Sequence, residues 1–169
     1  MWNDTDEPLA YLITFRTYGT WLHGDERGSV SRHRNRYGSS KLRHEPKWLE
    51  INKERMSREP VKLDARQRAS VRAAIRETCK IREWGLLALN IRTNHVHSVI
   101  VAPFSNSGRI LNALKANSTR LMRARRVWSD PRSPWTDKGS TRFLWNQDSI
   151  QLACDYVTRG QGDDLPEFD

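Results

Sequence analysis

Residues 10–18, AYLITFRTY, alternate apolar and polar positions and carry β-branched and aromatic side chains, a pattern that predicts a first strand. Residues 22–62 break it: Arg, Lys, Ser and Asn dominate, with two prolines and few apolar anchors. A connection of about 40 residues is far longer than the usual 4–6 or so, which marks an insertion. Residues 64–83 return to a helical period, with Asp64 as cap and Val71, Ala74, Ile75 and Cys79 on one face. Trp84-Gly85 ends that helix. Residues 86–92 and 95–102 then read as two strands joined by a tight turn at Thr93-Asn94. Ser105, Asn106 or Ser107 caps a second helix over 108–125, whose apolar stripe is Ile110, Leu111, Leu114, Leu121 and Met122. Residues 127–140 read as a loop and 143–145 as a short edge strand. A last helix runs from Asp148 to Arg159, where Gly160 stops it. This order predicts one α+β domain over 1–169: a ferredoxin-like, RRM-like split βαβ unit with an antiparallel sheet plus one C-terminal helix.

Charge narrows the function. Lys and Arg number 29 against 20 Asp and Glu, a formal net charge of +9. Such an excess suits a polyanionic partner, and nucleic acid is the usual one, because Lys and Arg displace counterions from phosphates. Lys115, Arg120, Arg123, Arg125 and Arg126 on the flanks and end of the second helix, together with Arg142, are the DNA-contact candidates. The insertion adds SRHRNRYGSSKLRH around Tyr37, either a solvated loop or a DNA-contacting flap. Trp128 and Trp135 flank a proline-containing loop and are candidates for stacking on bases. An anionic membrane surface is the weaker alternative, because no long Lys/Arg-rich amphipathic helix stands alone. No run approaches the roughly 20 apolar residues of a span, and no signal peptide is visible. Cys79 and Cys154 make neither a disulfide framework nor a zinc site, so the expectation is a reduced, cytoplasmic protein.

Three residues suggest chemistry. On a strand, residues two apart share a face, so His95 and His97 project side by side as a two-ligand metal platform. Two hydrogen-bonded, partly buried histidines are the plainer reading of the same pattern. In the last helix the core-facing set is Ile150, Ala153, Cys154 and Val157; Tyr156 flanks that stripe, able to reach a cleft. A phenol oxygen can attack a phosphodiester in line, and a nearby cation helps because the free phenol has a pKa of about 10. No P-loop or dinucleotide fingerprint suggests a nucleotide cofactor.

NHVHSVIV at 94–101, ahead of a basic helix, resembles the HUH strand of the single-tyrosine transposases. DYVTRGQG at 155–162, after GSTRFLW at 139–145, resembles their tyrosine-bearing C-terminal region, and YLITFRT their first strand. The resemblance spans about 9–162 and is nearest to the insertion-sequence and REP-associated tyrosine transposases. It implies a ferredoxin-like fold, Mg²⁺ or Mn²⁺ at His95 and His97, and Tyr156 as nucleophile in a covalent phosphotyrosine mechanism. It also implies single-stranded or hairpin-flanked DNA as substrate, and a homodimer if the insertion-sequence relatives are the better guide. Two features depart from the family. The 22–62 segment is long, and the amide that completes the metal site four residues after the tyrosine is replaced by Gly160. The third ligand is then Gln161, if the chain turns back at Gly160, or Asp163. The rivals are a domesticated or non-catalytic nucleic-acid-binding relative, an RNA-binding module and a small-substrate metal hydrolase. The third strand carries histidines where an RNA-binding sheet needs aromatics, and a small-substrate enzyme does not need the +9 charge.

Overall fold

The structure, a computed structural model, describes residues 6–20 and 46–166. Its elements run β1 (Ala10–Thr17), α1 (Pro46–Glu54), α2 (Ala65–Ile81), β2 (Gly85–Ile91), β3 (His95–Val101), α3 (Ser107–Ala124), β4 (Trp135–Leu144) and α4 (Gln147–Arg159). The four strands form one sheet in the order β2-β3-β1-β4, with every neighbouring pair antiparallel. This is the ferredoxin-like split βαβ arrangement, with α4 added at the end.

Short polar side chains set the helix starts. Asp64 accepts from the backbone of Gln67 and Gln67 returns the bond, a capping box for α2. Asn146 and Ser149 form a second capping box at α4, and Asn106 caps α3 by accepting from the Arg109 amide, satisfying amides that the helix itself leaves unpaired. Alternation along β1 then sorts the core into two. Tyr11, Ile13 and Phe15 join Val96 and Ile100 beneath Ile75 of α2 and Leu114 of α3. Ala10, Leu12, Val99 and Leu144 lie on the other face beneath Ile150, Ala153 and Val157 of α4. The apolar stripe read in the last helix is therefore its buried side.

Three sequence expectations need correction. The segment read as a loop over 127–140, with a short strand at 143–145, contains a ten-residue strand from Trp135 to Leu144. β4 is a sheet edge, so much of it faces solvent and its middle is polar, which erases the alternation a sequence reading relies on. Gly139 permits this pairing: a Cβ there would stand 2.6 Å from the Thr14 carbonyl and 2.9 Å from Leu111 Cδ1. Trp135 is not a base-stacking platform. It is 4% exposed and packs edge-on against Phe15 with ring centroids 4.9 Å apart, and its Nε1 donates to the Lys115 carbonyl and Thr119 Oγ1. The 22–62 insertion also contains α1, unforeseen in its polar sequence. Tyr37, His23, His33 and His44 lie outside the described residues. Among the described residues no helix is long and apolar enough to cross a membrane.

Candidate active site

The α4 face of the sheet is only partly covered, and the uncovered end carries polar side chains. β1 and β3 pair so that Thr14 stands opposite His97 and Arg16 opposite His95. Because strand residues two apart share a face, Thr14, Arg16, His95 and His97 form one cluster. Each imidazole has its Nδ1 engaged. Thr14 Oγ1 lies 2.7 Å from His97 Nδ1, and Asn94 Oδ1 lies 2.6 Å from His95 Nδ1. The two rings meet edge to face with centroids 4.7 Å apart. Holding Nδ1 is how proteins fix the tautomer and aim of a histidine ligand, leaving Nε2 for the metal. His97 is buried, and its pKa falls to about 3, first from desolvation, then from the neighbouring His95 and Arg16. It is neutral at ordinary pH, the form whose lone pair can bind a metal.

Tyr156 reaches this cluster from above. Its ring lies edge-on to His97 at 5.4 Å between centroids, while the residue stays 48% exposed. The neighbouring residue on α4, Val157, is fully buried, and its carbonyl accepts from Asn90 Nδ2 at 3.0 Å. Asn90 lies directly opposite His97 in the β2–β3 pair. The helix bearing the tyrosine is thus tied to the strand pair bearing the histidine.

Gly160 ends α4, its backbone N–H donating to the Tyr156 carbonyl at 2.9 Å. A Cβ at 160 would stand 2.7 Å from that carbonyl oxygen, so the position leaves no room for a side chain without a shift. The chain turns, and the next residue points back. Gln161 Nε2 donates to the Tyr156 carbonyl at 3.1 Å, which aims Oε1 the other way, 3.2 Å from His95 Nε2. Gln161 also bears on His97, where it works against the fall of the pKa. Asp163 meets this region through its main chain, where its carbonyl accepts from Arg92.

The donor set fits a divalent cation. Among the described residues no three His, Cys, Asp or Glu side chains gather as a metal group; the oxygen that stands beside the two imidazoles is the side-chain amide oxygen of Gln161. When Asn94 accepts the His95 Nδ1–H, the Nε2 lone pair and Gln161 Oε1 face each other as two acceptors, an arrangement that a cation between them would relieve. Ligands about 2.1 Å from an octahedral ion stand about 3 Å apart, close to the separation seen.

The other sequence candidates sit elsewhere. Lys115, Arg120 and Arg123 belong to α3, on the opposite side of the sheet from Tyr156, and Arg125 and Arg126 follow its C-terminus. Lys115 Nζ donates to the carbonyls of Thr136 and Asp137, and burial lowers its pKa. Arg120 pairs with Glu77 at 2.6 Å, and Arg123 donates to the Pro131 carbonyl at 2.6 Å. Arg142, paired with Leu12 in register, is exposed on the histidine face. Trp128 is half-buried, and its indole donates to the Arg132 carbonyl. Sequence reasoning missed Thr14, Arg16, Asn90, Arg92 and Asn94. The available signal was alternation: Leu12, Thr14 and Arg16 share a face that turns from apolar to polar toward the histidine end.

No curated protein sequence matches the chain. Among solved structures, a REP-associated tyrosine transposase bound to a REP hairpin is similar at 11% identity, TM-score 0.48, covering 93% of this chain and 67% of that one. A protein of Deinococcus radiodurans described as a transposase is similar at 13% identity, TM-score 0.46, covering 89% of each chain. Residues 53–158, which include His95, His97 and Tyr156, match the family described as transposase, IS200 like. With the matched segment spanning more than half the sequence, the chain belongs to the IS200-like transposase family.

Proposed function

We propose that this protein cuts and rejoins single-stranded or hairpin-flanked DNA, with Tyr156 as nucleophile and with His95, His97 and Gln161 as the protein ligands of a Mg²⁺ or Mn²⁺ ion. The observation that carries this reading is convergence. The Tyr156 ring rests on His97, and Gln161, from the turn just after the same helix, reaches His95. Tyr156 Oη attacks a backbone phosphorus, an Oη–P bond forms and the P–O3′ bond breaks. The 3′ oxygen takes a proton and leaves as a hydroxyl; the phenol proton passes to solvent. Attack of a 3′-hydroxyl on the phosphotyrosine reverses the sequence and restores the phosphodiester without a nucleotide cofactor. The ion, when bound, polarises the phosphate and stabilises charge on the oxygens that change bonds.

The chain's own groups prepare the step. Thr14 and Asn94 orient the imidazoles, and Asn90 fixes the height of the tyrosine helix over β3. Arg16 and Arg142 place positive charge on the same face, suited to the phosphates on either side of the cut. The test is a denaturing gel of labelled oligonucleotides drawn from the native flanking sequence. Wild type yields a covalent protein–DNA adduct and a free 3′ end in Mn²⁺. A Tyr156→Phe protein that still forms the adduct overturns the assignment.

A further inference from the structure

Beyond the ligands themselves, a second set of contacts holds the segment that follows α4. Gly162 has φ +82°, the left-handed conformation that lets the chain reverse immediately after Gln161. Arg92 closes this reversal. Its guanidinium donates to the Asp163 carbonyl at 2.8 Å, and its second terminal nitrogen lies 3.9 Å from where a Gly162 Cβ would be. The Arg92 backbone amide donates to the His95 carbonyl at 2.8 Å, closing the turn between β2 and β3. One short turn, Arg92 to His95, therefore carries a metal-ligand candidate at one end and the pin of the Gln161 segment at the other.

The fastening continues along the sheet end. Leu63 donates its amide to the Thr93 carbonyl at 2.7 Å. Arg68, 6% exposed, donates to the Leu63 carbonyl at 2.9 Å and to the Pro166 carbonyl at 2.7 Å. The chain from Gly160 to Pro166 is thus strapped from α4 past the β2–β3 turn to the base of α2. A side chain on an unpinned chain end samples many rotamers and backbone states, and ordering it on binding a ligand costs free energy. Here that ordering is done by main-chain acceptors and two arginines before any cation arrives.

We infer that Arg92 is a positioning residue for Gln161: by pinning the Gly162–Asp163 turn to the turn that bears His95, it presets the third oxygen donor of the proposed metal site. This inference rests on the metal reading above. It explains how an amide displaced by one position from the family's usual place still meets the histidines. Gly160 ends the helix, Gly162 reverses the chain, and Arg92 holds the reversal in place.

The experiment is Mn²⁺ affinity of the full-length protein without DNA, by electron paramagnetic resonance titration, together with thermal melting. Wild type binds Mn²⁺, and His95→Ala and Gln161→Ala weaken it. Arg92→Ala weakens binding about tenfold, the size expected when a group supporting a ligand is removed. Arg92→Lys, which keeps one donor for the Asp163 carbonyl, recovers part of that loss. Gly162→Ala strains the reversal from the other side, where its Cβ meets only Arg92 at 3.9 Å, and weakens Mn²⁺ about fivefold. The double variant of Arg92→Ala with Gly162→Ala loses less than the product of the two, because both changes free the same turn. Arg92→Ala with wild-type Mn²⁺ affinity overturns the positioning role while leaving the histidine site intact. Wild type that fails to bind Mn²⁺ overturns the metal reading and this inference together. Should Arg92→Ala lower the melting temperature, Gly162→Ala remains as the comparison, and wild-type affinity there overturns the inference.

Discussion

Across one face of the sheet, α2 and α3 bury Phe15, Ile75, Ile100 and Leu114, and the basic groups of α3 turn to partners of their own: Lys115 to two carbonyls, Arg120 to Glu77. Across the other face, α4 covers Leu12, Val99 and Leu144 but stops short of the end where Thr14, Arg16, His95 and His97 stand. The closed face is where a side chain's removal is felt as weakened packing. The half-open face is where polar groups are held in place by side-chain hydrogen bonds beside a tyrosine that stays half exposed. The difference separates residues that keep the fold from residues positioned for chemistry, and each substitution below tests that separation.

The largest effect is expected at Tyr156. Changing it to Phe removes one oxygen from a residue that is 48% exposed, so stability should move by no more than about 0.5 kcal/mol. Adduct formation should fall below detection, because no other group of the cluster offers a nucleophilic oxygen in the same position. Adduct gels and thermal melts on the same preparation give both numbers. A large loss of stability would mean that the tyrosine belongs to the packing of its face rather than to its chemistry.

Phe15→Ala is the converse. Phe15 is fully buried on the closed face against Trp135, and truncating such a ring costs about 3–5 kcal/mol. Urea unfolding should show the loss. Any fall in DNA cleavage should follow the fraction unfolded and recover at lower temperature, unlike that of Tyr156→Phe.

The sequence disclosed these two faces unequally. Apolar periods in α2, α3 and α4 and alternation in β1 and β3 were legible because burial on one side is what creates such periods. The His95–His97 pair and the flanking place of Tyr156 followed from strand and helix geometry alone. β4 was not legible, since an edge strand with a solvent-facing middle has no apolar period to show. The arginines Arg16 and Arg92 were hidden for a related reason. Their roles depend on which strands become neighbours, and long-range pairing such as Arg16 opposite His95 is set by the sheet order, not by local sequence. Gln161 was nameable only as one of two candidates. The structure places Gln161 Oε1 3.2 Å from His95 Nε2 and engages Asp163 through its main-chain carbonyl, relations made by the turn after α4 that local sequence does not show.

A smaller effect is expected on the open face at Thr14. Thr14→Val keeps the shape and the strand preference of the residue but deletes the hydroxyl 2.7 Å from His97 Nδ1. Stability should fall by about 1–3 kcal/mol, since the valine fits the space but leaves the buried His97 Nδ1 without its partner. Mn²⁺ affinity should fall about tenfold, because His97 then lacks the partner that fixes its ring and tautomer. Thr14→Ser should restore the affinity, which a purely steric role for the threonine would not predict.

The smallest effect is expected at Arg120, and it bears on what the closed face does on its outer surface. Arg120 donates to Asn117 Oδ1 at 2.6 Å and pairs with Glu77 at 2.6 Å, both near solvent. An exposed pair of this kind contributes little to stability because water and salt screen it. Arg120→Gln should therefore leave the melting curve nearly unchanged. If the α3 surface carries part of the DNA, the log–log slope of affinity against salt should fall by about 0.7, the value for one single-strand phosphate that is no longer neutralised. Mn²⁺ affinity should stay at the wild-type value, since the sheet separates Arg120 from the histidines. An unchanged salt slope together with unchanged affinity for DNA would confine the nucleic acid to the α4 face, where Arg16 and Arg142 stand. A changed slope would show that one protein grips DNA on a surface remote from the tyrosine, with the two faces of the sheet dividing holding from cutting.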